Sequence, residues 1–166
     1  SITRYARSFF VSTLPRMCTF PELFRDMYLF GDINTSIYIN PIAESKSQNE
    51  LNRVINQLET ERIVAADRGN IEAEQLRDEI AAGYNKLYEA SIISTLFAYS
   101  LEDLDRFTKL LAAEMSKSLV GIKSAWGMQE EAFKSNIPLM DDKIRKTHTF
   151  DRSSMGTVFP FTTSEV

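Results

Sequence analysis

The sequence holds one cysteine, Cys18, and one histidine, His148, in 166 residues. A single thiol excludes an intramolecular disulfide and suits a reducing compartment. A single imidazole, set in a polar stretch, leaves no cluster of the ligands that a metal or acid–base centre requires. The six glycines are Gly31, Gly69, Gly83, Gly121, Gly127 and Gly156. None falls in a GxxxxGK[ST] or GxGxxG context, which excludes a P-loop or dinucleotide fingerprint from this stretch. No nucleophile-elbow motif occurs. The adjacent acid pairs Glu130-Glu131 and Asp141-Asp142 point apart on any regular element and make poor catalytic dyads. No apolar run approaches the ~20 residues of a membrane span, and no signal peptide is recognisable. Charge is nearly balanced, with a net value of −4. That argues against a nucleic-acid surface covering the whole domain and is compatible with a local basic patch.

What is present is an ordinary globular composition, 43% hydrophobic and 25% charged, in a chain long enough to bury a core without staples. Residues 5–14 alternate, with Phe9 and Val11 on one side and Phe10 on the other, and predict a strand that Pro15 ends. Thr19-x-x-Glu22 is a capping box, with Pro21 early in the first turn. Phe20, Leu23, Phe24, Met27 and Tyr28 follow at helical spacing to about Phe30, with Gly31 at the C-terminal cap. Residues 32–42 set Ile33, Thr35, Ile37 and Ile39 against Asn34, Ser36, Tyr38 and Asn40, the pattern of a strand in a half-covered sheet.

Residues 45–89 break this rhythm. Ser47-x-x-Glu50 reads as a capping box. Leu51, Val54, Ile55 and Leu58 form one narrow stripe, and Ile71, Leu76, Ile80, Tyr84, Leu87 and Tyr88 another, with a turn expected at Asp67-Arg68-Gly69-Asn70. The result is a polar helical hairpin with arms of ~20 residues, each ~30 Å long. Residues 91–99 are apolar on both sides and predict a central strand. Ser100-x-x-Asp103 starts the strongest amphipathic helix, with Leu101, Leu104, Phe107, Leu110, Leu111, Met115 and Leu119 in its stripe. Val120, Ile122, Ser124 and Trp126 alternate as a fourth strand. A short helix from Gln129 to Ile137 ends at Pro138. The remainder, 139–166, is polar and reads as an arm or linker, with a short helix at about Arg152 to Val158.

This order predicts an α+β, ferredoxin-like domain over 1–138. Two β-α-β halves would form a four-stranded antiparallel sheet, with the helical hairpin inserted between strands two and three, followed by a C-terminal helix and arm. The chain is strand-like by Tyr5 and runs out after Phe159-Pro160-Phe161, and so reads as part of a longer protein. The candidate interaction residues are basic: Arg53, Arg62, Arg68 and Arg77 on the hairpin, and Lys143, Arg145, Lys146 and Arg152 on the arm. Phe9, Phe97, Tyr99 and Trp126 are candidates to stack nucleic-acid bases on a ferredoxin-like sheet. Core packing is the competing use of these rings, and the RNP1 pattern is absent.

Several short motifs stand in a particular order. Ser8-Phe9-Phe10-Val11-Ser12-Thr13-Leu14-Pro15 comes first, then a strand ending in Asn40-Pro41, then the polar insertion. Met128-Gln129-Glu130, Ser135-Asn136-Ile137-Pro138 and Thr157-Val158-Phe159-Pro160-Phe161 follow. This order resembles the N-terminal domain of the hexameric ATPases of type IV secretion and conjugation, the Vir B-four family, especially those of Gram-positive conjugative elements. Gln129, Phe133, Ser135 and Pro138, followed by Pro160-Phe161, match its "Q…F.S.lP" and "PF" segments in type and order. The resemblance implies a non-catalytic domain at the inner face of the cell membrane. It would dock the motor to the secretion channel and to neighbouring subunits. The ATP and Mg2+ of the family belong to a P-loop domain beyond this stretch, so no cofactor is expected here. The alternative is a nucleic-acid-binding module that uses the sheet aromatics and the basic arm.

Overall fold

The computed structural model describes residues 3–15, 27, 31–61, 64–138 and 140–158, with the backbone alone at 54, 56–61 and 64–70. The predicted capping box at Thr19, the helix expected over 20–30 apart from Met27, Cys18, Arg62 and Pro160-Phe161 lie outside the described residues.

The elements are strands β1 (Tyr5–Thr13) and β2 (Asp32–Pro41), helices α1 (Glu44–Glu61) and α2 (Val64–Ala81), and strand β3 (Leu87–Ala98). Helix α3 (Leu101–Lys117), strand β4 (Gly121–Ser124), helix α4 (Gln129–Ser135), strand β5 (Thr147–Asp151) and helix α5 (Arg152–Val158) follow. The fold is α+β, with an open, antiparallel five-stranded sheet. Its strand order is β2-β3-β1-β4, and β5 also pairs with β3. In the register, Phe10 lies opposite Ile93 and Phe9 opposite Ser124, and a bulge falls between Val11 and Thr13.

Two compact units divide the chain. The first contains residues 1–39, 90–148 and 153–166; the second contains 40–89 and 149–152. In the first unit β3 is the central strand, as its doubly apolar pattern predicts. From Ala90 to Leu96 every residue is buried. Period-2 alternation puts Phe9 and Val11 on one face of β1 and Ser8 and Phe10 on the other. Helix α3 packs on β1 and β4, and Arg7, on the Phe9 side, reaches its Asp105 at 2.7 Å and Thr108 at 3.3 Å. On the Phe10 side, Phe10, Tyr38 and Met128 pack on Ile93, Ala125, Ala132 and Ile144. The half-covered sheet predicted from β2 is therefore corrected: Tyr38, on the supposedly open face, joins a core beneath α4.

Ser100 caps α3 as the sequence predicts, its hydroxyl accepting from the Asp103 N–H at 3.0 Å. The predicted stripe is too wide. Leu104, Leu111 and Met115 are buried, whereas Leu101, Leu110 and Leu119 are exposed. Trp126 falls beyond the end of β4 in the turn at Gly127, so it is not a strand residue and is 89% exposed. Helix α4 stops two residues before Ile137, at an Asn136 cap.

In the second unit, α1 and α2 pack together around Ile42, Leu51, Ile80 and Leu87, with Leu76 against them. Three expectations are corrected here. The turn expected at 67–70 is helical, because α2 starts at Val64; one interior glycine costs only ~1 kcal/mol, which packing overrides. Ser47 is not a cap, since α1 already begins at Glu44 and the Ser47 hydroxyl donates back to the Ala43 carbonyl at 3.2 Å. Finally, α2 ends at Ala81, where Gly83 takes φ +77°, so Leu87 and Tyr88 open β3 and do not extend the helix. Ile71 and Tyr84, counted in the stripe, are exposed.

Adjacent leucines on α3 test this packing. Leu111→Ala empties a fully buried position and is expected to cost ~2–5 kcal/mol in urea unfolding. Leu110→Ala is expected to stay within about 0.5 kcal/mol of the parent. Equal costs would contradict the packing of α3.

Candidate functional site

Four of the motif residues, Ser8, Gln129, Ser135 and Asn136, anchor α4 and the chain after it to the sheet. Gln129 opens α4, and its side-chain amide lies against the backbone of Ser8. Its Oε1 accepts from the Ser8 N–H at 2.8 Å, and its Nε2 donates to the Ser8 carbonyl at 2.8 Å and to the Ser124 hydroxyl at 3.1 Å. The Ala125 N–H also donates to the Ser8 carbonyl, at 3.1 Å. Strand β4 ends at Ser124, and Gln129 extends the pairing with β1 beside Ala125, supplying the acceptor for the Ser8 N–H. A primary amide offers one donor group and one acceptor, the pair that a ladder residue would supply.

The rest of the motif continues this closure. Phe133 sets its ring edge-on to Phe97, with centroids 6.3 Å apart and planes at 75°. The Ser135 hydroxyl donates to the Glu131 carbonyl at 2.9 Å and accepts from the Lys143 N–H at 3.0 Å, tying down the chain after α4. Asn136 donates to the Thr95 hydroxyl at 2.7 Å, which itself pairs with the Ser8 hydroxyl at 2.8 Å. Tyr38 on β2 donates to the carbonyls of Ser135 and Met140. Burial first, then the carboxylates of Asp142 and Asp141, raise the Tyr38 phenol above its ordinary pKa, which keeps it a donor. These groups stitch together a sheet face and have no catalytic geometry.

Of the aromatics considered for base stacking, only Phe97 and Tyr99 come together, around Arg4. Phe9 is core. Phe97 is engaged by Phe133, and the Arg4 guanidinium lies 5.0 Å from the Phe97 ring centre and 5.5 Å from that of Tyr99. Arg4 is itself paired with Asp32. Tyr99 and Trp126 are exposed, but Tyr99 follows β3 and Trp126 follows β4, so neither extends a stacking row on a strand.

The predicted basic residues separate. Arg145 and Lys146 line a groove of about 410 Å3 with Phe10, Val11, Ser12, Lys123, Thr147 and His148. Lys143 is exposed, with its backbone on Ser135. Arg152 belongs to the second unit, where its guanidinium donates to the Tyr84 carbonyl at 3.1 Å and its N–H to Asn85 at 3.2 Å. Arg53 is exposed on α1, and Arg77 on α2 is spent on its neighbour Asp78 at 3.4 Å. Arg68 lies within α2, where the backbone alone is described. Sequence reasoning misses Lys123 and His148 as partners of Arg145 and Lys146. The alternation of residues 120–126 places Lys123 on the face opposite Ile122, but nothing local points to the second pair. Among the described residues, no group of three or more His, Cys, Asp or Glu side chains could hold a metal ion.

No family model matches the chain, and no curated protein matches it.

The Gln129 bridge predicts a specific mutational pattern. Gln129→Ala leaves both Ser8 backbone groups without this partner and is expected to cost ~1–3 kcal/mol in urea unfolding. Gln129→Glu keeps the shape but sets a carboxylate oxygen against the Ser8 carbonyl, and is expected to cost at least as much at neutral pH. A neutral outcome for both would remove the bridge from the account of stability.

Proposed function

We propose that this chain is a non-catalytic assembly and docking domain of a type IV secretion or conjugation ATPase. It would be a ferredoxin-like platform carrying an inserted helical hairpin. The platform reading is supported by the strand order, since β4-β1-β3-β2 is the arrangement that two split β-α-β halves produce. The hairpin lies in sequence between β2 and β3, where the ferredoxin-like order has a turn.

The observation that carries the docking role is the second compact unit. Helices α1 and α2 bury a small apolar cluster of their own, while Asn49, Glu50, Asn52, Arg53, Glu72, Glu74, Gln75, Asp78 and Glu79 are exposed. A polar, predominantly acidic helical surface of this kind suits protein recognition through charge complementarity. The closed sheet adds support from the opposite direction: with α3 on one face and α4 on the other, a docking surface falls to the hairpin.

In this reading the partners are channel components of the secretion complex and neighbouring copies of the parent motor. The site of action is the inner face of the cell membrane. No helix among the described residues is long and apolar enough to cross a membrane, so attachment there would run through partners. ATP and Mg2+ would be bound by the parent's P-loop domain.

The test uses the parent protein. Its gene is expected to encode a GxxxxGK[ST] motif beyond this segment, and a parent without one contradicts the family. Removing residues 47–86 with a short closing turn is expected to leave the remaining unit folded and parental ATP hydrolysis present, while co-purification with channel subunits is lost. Retained co-purification would contradict the docking role of the hairpin.

A further inference from the structure

The groove beside β1 collects three cations that have no ion-pair partner among the described residues. Lys123 projects from β4, and Arg145 and Lys146 precede β5. Their side chains are exposed. No carboxylate lines the groove, although the chain has 23 acidic residues against 19 basic ones. The nearby Asp142 carboxylate is committed to the backbone, accepting from the N–H groups of Ile144 at 2.9 Å and Arg145 at 2.8 Å. Three cations in a groove lined by no carboxylate favour a ligand that carries more than one negative charge.

Backbone geometry gives a second, independent indication. Arg145 adopts φ +53°, a left-handed conformation that suits glycine and penalises an L side chain. The Asp142 turn holds it there. An arginine kept where glycine would fit more easily points to a use for its guanidinium.

His148 completes the wall. Its Nε2 lies 2.9 Å from the Val11 carbonyl, which can only accept, so Nε2 carries the proton and Nδ1 is left as the second ring position. Thr147 also lines the groove, and Phe10 supplies its apolar part; Val11 is fully buried and borders it through its backbone. The groove, about 410 Å3, has room for a small-molecule ligand.

We propose that this groove is a binding site for a compact phosphate dianion, a phosphomonoester or pyrophosphate group, held by Lys123, Arg145 and Lys146. Any attached organic moiety would rest on Phe10. The site is separate from the docking role of the hairpin and stands whether or not that role holds. The phosphate could belong to a free metabolite or to an anionic lipid headgroup.

Calorimetric titration of the 166-residue chain with inorganic pyrophosphate, and sedimentation with phosphatidate/phosphatidylcholine vesicles, separate these sources. Saturable binding of pyrophosphate, or of the vesicles alone, is expected to weaken about tenfold or more in Arg145→Gly. Thermal stability should be unchanged or raised in that variant, because glycine relieves the left-handed strain. Lys123→Gln is expected to weaken the same binding and keeps the proposal testable should Arg145→Gly perturb its loop. Three results would overturn the proposal: no saturable binding of either probe, binding that both variants leave intact, or binding only to a single-stranded oligonucleotide.

Discussion

A strand buried on both faces needs cover on both sides, and the polar groups it carries inward cost stability unless they find partners. β3 imposes this condition on the first unit. From Ala90 to Leu96 it is closed to water, and Ser91, Ser94 and Thr95 are buried with its aliphatic residues. Buried hydroxyls are costly without hydrogen bonds. Thr95 is satisfied by Ser8 and Asn136, and Ser94 by Thr35 at 2.9 Å, whereas the Ser91 hydroxyl has no hydrogen-bond partner among the described residues. Those contacts draw β1, β2 and the end of α4 into one arrangement. Helix α4 is only 7 residues long, too short to be stable alone. Its place depends on the Gln129 amide at one end and on Ser135 and Asn136 at the other.

This closure decides which surfaces are left for recognition. An antiparallel sheet with one open face offers a platform for bases or peptides. Here α4 and the segment through Ile144 occupy that face, and the aromatic side chains nearest to it are engaged by Arg4 and Phe133. What remains outward are the hairpin of the second unit and the basic groove beside β1. The docking reading and the phosphate site therefore occupy different places and draw on different chemistry.

Much of the architecture was legible in local pattern. The alternation of residues 5–13 and 32–41, the doubly apolar run that makes β3 central, the Ser100 cap and the bounds of α5 all follow from periods and capping chemistry. The failures share a cause, which is that tertiary context overrode a local signal. Gly69-Asn70 reads as a turn but lies in α2. Leu87 and Tyr88 fit a helical stripe but begin β3, because Gly83 ends the helix earlier. Strand β5, at Thr147–Asp151, lies in a polar tail with only five residues of weak alternation, and its pairing with β3 is a long-range event. The groove shows the same division. Arg145 and Lys146 stand out in composition, whereas Lys123 and His148 join them only through the packing of β4 and β5. Gln129 and Ser135 stand out in sequence order, and only the fold shows that both bind the chain's own backbone.

The central claim is that Gln129 and α4 form part of the sheet. The Ser8 amide reports on it directly, because its hydrogen goes to a side chain and not to a strand. Native-state hydrogen exchange should find Ser8 opening with the same free energy as the central amides of β3, in one cooperative unit. If Ser8 exchanged far faster than those amides, α4 would be a loose addition and the sheet face beneath it open.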